Sequence, residues 1–192
     1  EIGANAFEGC VSLVNITLPE ALTKIGESAF RGCTSLVGVA FSENVTEIGM
    51  EAFRDCDALV EVNFAEQSVL KTIGTAAFAG CKAITKIEMP DTVTSIGSYA
   101  FRGFSNIKTL DIPEGITHIN EYAFANLTAL EEIVWSIPAF TGITSTSYIF
   151  EGAGTSSGVK FTISENVQEI PSYLFYRFGD ETPLMVVIEG DN

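Results

Sequence analysis

The chain has 192 residues, 46% of them hydrophobic, which is enough for a substantial core and excludes a disordered polypeptide. No apolar run approaches the ~20 residues of a membrane-spanning helix, so direct membrane insertion is not expected. The formal charge of −15 argues against nucleic acid and anionic membrane as partners, because both attract basic surfaces.

The first unit opens on "IGANAFEGCVSL" at Ile2, and nearly the same words return as "IGESAFRGCTSL" at Ile25 and "IGTAAFAGCKAI" at Ile73. Periodicity of this kind sets the fold before any motif does. The anchors are Phe7, Phe30, Phe53, Phe78, Phe101, Phe124, Phe150 and Phe175, at steps of 23, 23, 25, 23, 23, 26 and 25 residues. Six residues past the first six anchors stand Leu13, Leu36, Leu59, Ile84, Ile107 and Leu130. Nine past come Ile16, Val39, Val62, Ile87, Leu110 and Ile133, and eleven past come Leu18, Phe41, Phe64, Met89, Ile112 and Trp135.

Within each unit the elements follow in a fixed order. The anchor stretch, such as "ESAFRG", is short and has helix-compatible residues, which predicts one or two helical turns. The slots nine and eleven past the anchor alternate with polar neighbours, the period of a strand with one face buried. Pro19, Pro90 and Pro113 then turn the chain out of the ladder. A second short extended piece, "LTKIG" or "VTEIG", leads back, and Gly3, Gly26, Gly49, Gly74 and Gly97 suit a tight corner there. One unit cannot bury its own slots, so the units must stack into a solenoid with a continuous core. The whole chain, 1–192, reads as a single domain of about eight repeats.

The pattern "LxxIxLPxxLTxIGxxAFxGC" resembles the BspA-like leucine-rich repeats, also called the Treponema pallidum type, over nearly the whole chain. The chain departs from it between Ser136 and Ser147 and after Tyr176. The resemblance implies an α/β repeat: a right-handed solenoid with a parallel sheet along one face and short helical turns on the other. It also implies surface proteins of host-associated bacteria or protozoa, often linked to adhesion. The localisation expected is therefore extracellular or cell-surface, and the partner a protein or glycan of host origin. A structural spacer in a larger surface protein is the alternative.

Three residues past the anchor stand Cys10, Cys33, Cys56 and Cys81, where later turns have Phe104, Leu127, Ala153 and Phe178. A slot that accepts these is apolar, and free cysteine behaves as a small hydrophobe. Disulfides between neighbouring turns remain open on Cα spacing, whereas four thiols strung along a solenoid cannot converge on one zinc. No metal or other cofactor is expected.

Motifs that suggest catalysis fail on context. "GTSSG" at Gly154 matches a nucleophile elbow around Ser156, but no long helix follows it. A serine hydrolase at Ser156 is the remote alternative to a non-enzyme. "SVLK" at Ser68 lacks the partner motifs of its class, and Asp55 and Asp57 lack a glycine-centred calcium loop. His118, the single histidine, falls at a polar position of the return segment. The sequons at Asn15, Asn44 and Asn126 matter only in a secreted eukaryotic protein.

Candidate partner-binding positions lie on the outward face of the strands: Glu61, Asn63, Lys86, Glu88, Thr109, Asp111, Glu132 and Val134. This face carries no aromatic stripe of the kind a carbohydrate or peptide groove needs, and a plain solvated face is its other reading. Phe140 and Ile143, in the stretch "WSIPAFTGITSTSY" that breaks the period, either present a binding loop or fold back onto the core. The chain starts mid-unit, and nothing near Glu1 resembles a cap. Tyr173, Tyr176 and Phe178 are bulky enough to cover part of the other end. A fragment of a longer array is therefore expected, or end-to-end self-association through the open ends.

Overall fold

Apolar slots open above and below each unit can be buried only by the units that stack on them, and the structure is that stack. It is a computed structural model that describes residues 1–140, 142–155, 157–178 and 182–189. Its strands are β1 (Lys24–Ile25), β2 (Gly38–Phe41), β3 (Glu47–Ile48), β4 (Glu61–Phe64), β5 (Thr72–Ile73), β6 (Ser95–Ile96), β7 (Thr109–Ile112), β8 (His118–Ile119), β9 (Glu132–Trp135), β10 (Val159–Ile163) and β11 (Leu184–Ile188). All pair in parallel. The result is a right-handed parallel-strand solenoid of about seven turns.

Two faces carry ladders. The expected strand face consists of β2–β4 and β7–β9–β10–β11. The ladder is interrupted at the fourth turn, although Ile87 and Met89 still point into the core there. The break follows the 25-residue third step, whose two added residues fall between Phe64 and Ile73. The return segments form a second sheet, β1–β3–β5–β6–β8, with Ile25, Ile48, Ile73 and Ile96 fully buried.

The anchor stretches are turns and not helices. In all eight units the residues two before and two after the anchor have positive φ, from Asn5 (58°) and Gly9 (69°) to Tyr173 (63°) and Arg177 (55°). Left-handed residues at every fourth position cannot propagate a right-handed helix. The alternation instead turns every second N–H along the solenoid axis. Ser28, Phe30 and Gly32 donate to Met50, Ala52 and Arg54 of the next turn at 2.7–2.8 Å. Arg31 and Cys33 close i→i−3 bonds within their own turn. The expected helical turns are thus replaced by a third backbone ladder, which satisfies amides that a short helix would leave unpaired.

Close stacking explains the corner glycines better than turn geometry does. Gly26, Gly49, Gly74 and Gly97 are absent from the positive-φ residues, and a Cβ at Gly97 would lie 2.4 Å from the Thr75 backbone nitrogen.

Inside, Phe7, Phe30, Phe53, Phe78, Phe101, Phe124 and Phe150 form one column with ring centroids 5.0–5.9 Å apart. Phe175, expected as the eighth member, leaves it: its ring packs edge-on against Phe161 at 4.8 Å, and Phe178 lies beside Phe150. The cause is a shift of register. Phe161, not Val159, pairs with Ile133, and Val186 in turn pairs with Phe161. The core side of the last strand therefore holds the expected Leu184 and Val186 and also Ile188: Leu184 packs against the core, whereas Val186 and Ile188, in register with Ile133 and Trp135, stay exposed. Of the residues expected to cover this end, Phe178 is buried, whereas Tyr173 and Tyr176 stay exposed.

Candidate functional site

The site is built from the strand face and the loop that leaves it. On the strand face Glu61, Asn63, Lys86, Glu88, Thr109 and Asp111 are exposed, as the alternation requires, and Glu132 and Val134 are half-buried. The face is partly self-paired. Lys86 contacts Glu88, which raises the Lys86 pKa chiefly through their hydrogen bond. Lys160 Nζ lies 2.7 Å from Glu132 Oε1.

Two grooves gather these residues. Where the ladder breaks, Glu61, Asn63, Lys86 and Glu88 line a groove of about 530 Å³. A larger one, about 850 Å³, is lined by Glu88, Asp91, Asp111, Glu114, Val134, Ser136, Ser164, Glu165, Asn166 and Glu189. Glu88 belongs to both, and Thr109 to neither. Phe140 and Ile143 do not join them. Phe140 is 2% exposed and packs edge-on against Trp135 at 5.9 Å, and Ile143 is buried as well. The long loop thus folds back onto the core, because two large apolar side chains gain more by burial than by display.

The larger groove depends on residues that were not singled out in the sequence. Two residues past the last strand slot stand Glu20, Glu43, Glu66, Asp91 and Glu114 in the first five turns and Glu165 in the seventh, while the sixth turn has buried Ile137 there. Each occupies the second position of a four-residue turn, closed for example by Val93 N–H donating to Pro90 O at 3.0 Å and Val167 N–H to Ser164 O at 3.0 Å. The regular offset from the strand was the readable signal. Among the described residues none of the six has a basic partner within ion-pair distance, and Glu114 accepts a hydrogen bond from Asn166 at 3.2 Å. Parallel stacking repeats a residue every ~4.8 Å, so this column concentrates negative potential along one edge.

The cysteines lie away from this surface. All four are free thiols. Cys33, Cys56 and Cys81 are fully buried, and each Sγ donates to the anchor carbonyl of the preceding turn, at 3.2, 3.2 and 3.0 Å. Burial, with Cys56 and Cys10 next, pushes the Cys33 pKa up to about 11, and burial also raises that of Cys81. Cys10, in the first turn, is exposed. His118 is exposed on β8 and meets the Thr117 hydroxyl at 2.9 Å. Ser156 lies outside the described residues. Among the described residues no cluster of three or more metal-ligating side chains occurs, and no helix is long and apolar enough to cross a membrane.

With this geometry in hand, similarity to known proteins is informative. No curated protein is a match to the chain. Among solved structures, the chain is similar to the Treponema pallidum leucine-rich repeat protein at 20% identity and a TM-score of 0.61, over 91% of this chain and 87% of that one. A leucine-rich repeat protein from Bacteroides ovatus aligns at 20% identity and a TM-score of 0.57, over 93% and 70%. The pneumococcal vaccine antigen PcpA aligns at 18% identity and a TM-score of 0.55, over 84% and 43%. These likenesses establish the fold. The model of the BspA type leucine rich repeat region matches residues 1–131 and 65–180, in six copies. A match of that extent places this chain in the BspA type leucine-rich repeat family.

Proposed function

We propose that the chain is a non-enzymatic recognition module of a cell-surface or extracellular protein, and that it binds a protein partner through the strand face and the acidic groove beside it. The observation that carries this reading is the groove of about 850 Å³ in which Asp91, Asp111, Glu114, Glu165 and Glu189 converge without a basic partner among the described residues. Uncompensated charge around a concave surface favours a ligand of opposite sign, here a protein segment rich in lysine or arginine, and speeds its encounter. The surface location is supported by kinship of fold with a vaccine antigen and by the family itself. The spacer alternative is supported by the backbone ladder of the anchor turns, which runs from the first turn to the seventh and stiffens the stack.

A binding screen against host matrix proteins and a glycan panel separates the two readings. A recognition module retains a basic protein, with affinity that falls as salt rises and drops about ten-fold in Asp111→Asn/Glu114→Gln. A spacer retains nothing. An esterase activity abolished by Ser156→Ala, with labelling by a fluorophosphonate, would reverse the non-enzymatic reading.

A further inference from the structure

All five tyrosines of the chain lie in one stripe on the turn side of the solenoid, away from the strand face. Tyr99, Tyr122 and Tyr148 stand two residues before successive anchors, and their rings follow one another at 5.1 and 5.4 Å. Tyr176 continues the row at 5.8 Å from Tyr148, and Tyr173 meets it edge-on at 6.1 Å. The first three are half-buried, and Tyr173 and Tyr176 are 53% and 48% exposed.

The fold does not ask for tyrosine here. The position has positive φ in every turn, 60°, 58°, 42° and 63° at Tyr99, Tyr122, Tyr148 and Tyr173. Asparagine and glycine suit that conformation, and bulky side chains are unusual in it. The first four turns fill the same position with Asn5, Ser28, Glu51 and Ala76. Four successive tyrosines on a strained, solvent-facing backbone, none of them in the core, mark a surface kept for contact.

We infer that this stripe is a binding surface for a neutral linear polysaccharide. A ring that recurs once per turn along a straight axis matches a polymer of repeating rings better than it matches a compact ligand, and none of the grooves described above is lined by these tyrosines. Because Tyr99 stacks on Tyr122 and Tyr148 on Tyr176, the row offers a ligand ring edges and a line of hydroxyls that both donate and accept, as sugar hydroxyls do. The flanks carry both signs. Arg102 and Arg177 sit 5.5 Å from the centroids of Tyr99 and Tyr148, and Glu151 lies 3.6 Å from Arg177. A neutral polyhydroxyl chain can satisfy such mixed donors and acceptors together, whereas a polyanion meets a molecule of net charge −15.

Affinity electrophoresis of the whole chain in native gels containing hydroxyethylcellulose, xylan, glucomannan, laminarin, soluble starch or heparin tests this. Retardation by at least one neutral polysaccharide is expected, weakened about ten-fold in Tyr122→Asn/Tyr148→Asn, which places at both positions the residue that the first turn holds at Asn5. Should that variant melt early, the wild type labelled with 3-fluorotyrosine decides: every fluorine reports on the stripe, so the retarding polysaccharide must shift these resonances. No retardation by any neutral polysaccharide, retardation by heparin alone, or retardation with unmoved fluorine resonances and unaltered in the double variant, would overturn the proposal.

Discussion

Single side chains carry the core in a column, and their cost is set by place in it. Phe53 is fully buried between Phe30 and Phe78, with centroids 5.0 and 5.2 Å away. Phe53→Ala should lose about 3–5 kcal/mol in denaturant unfolding, as buried phenylalanine truncations do. Phe175 stands outside the column and is partly exposed, so Phe175→Ala should cost under about 2 kcal/mol. Equal costs would mean that the register shift is absent. The thiols make a second contrast. Cys10 should react rapidly with a thiol reagent, and Cys33, Cys56 and Cys81 only on unfolding. Because Cys33 is raised from 9.0 to about 11, its native form keeps the proton while the unfolded thiol ionises. Its contribution is therefore complete below pH 9 and declines as pH rises toward 11, which alkaline melts of wild type and Cys33→Ala would reveal. The apolar character of this slot was legible from its occupants. The exposure of Cys10 was not, because the same slot is buried in the three turns that follow.

At the scale of one turn, the anchor segment misled because its composition suits a helix while its hydrogen bonds run between turns. Local propensity is a weak prior when neighbouring turns offer backbone partners at 2.7–2.8 Å. Ala76 holds φ at 52°, a conformation that costs an L-residue about 1 kcal/mol. Ala76→Gly should therefore be neutral to stabilising by up to about 1 kcal/mol, and marked destabilisation would show that the methyl group matters more than the backbone. The acidic column belongs to this scale too. Its like charges repel across successive turns, so Glu66→Gln should raise the melting temperature at low salt. Raising ionic strength from 0.01 to 0.15 M, which shortens the Debye length from about 30 to about 8 Å, should raise that of the wild type and shrink the difference. A melting temperature indifferent to salt would refute the repulsion.

Across the whole molecule, apolar surface is concentrated at the two ends of the stack. Ile2, Phe7, Leu13 and Ile16 are only partly buried in the first turn, and Met185 and Ile188 on β11 are 57% and 67% exposed. Among the described residues β11 pairs with β10 alone, and an unpaired strand edge is a template for another strand. Light scattering over a concentration series of this 192-residue chain should show reversible association, reduced by Ile188→Lys. A strictly monomeric species at millimolar concentration would refute it.

What the amino-acid sequence determined by itself was everything tied to its period. Apolar residues six, nine and eleven past each phenylalanine can be buried only by stacking, so the solenoid, the alternation of the strand face and the buried isoleucines of the return segment were all readable. Tertiary structure decided what the period does not contain. Strand pairing put Phe161, not Val159, in register with Ile133. Phe140 and Ile143 went into the core, because a loop's fate depends on which surface lies within its reach. Stacking turned a turn-position glutamate into a column and five scattered tyrosines into a stripe, since residues some 23–26 apart become neighbours only when successive turns lie one above another.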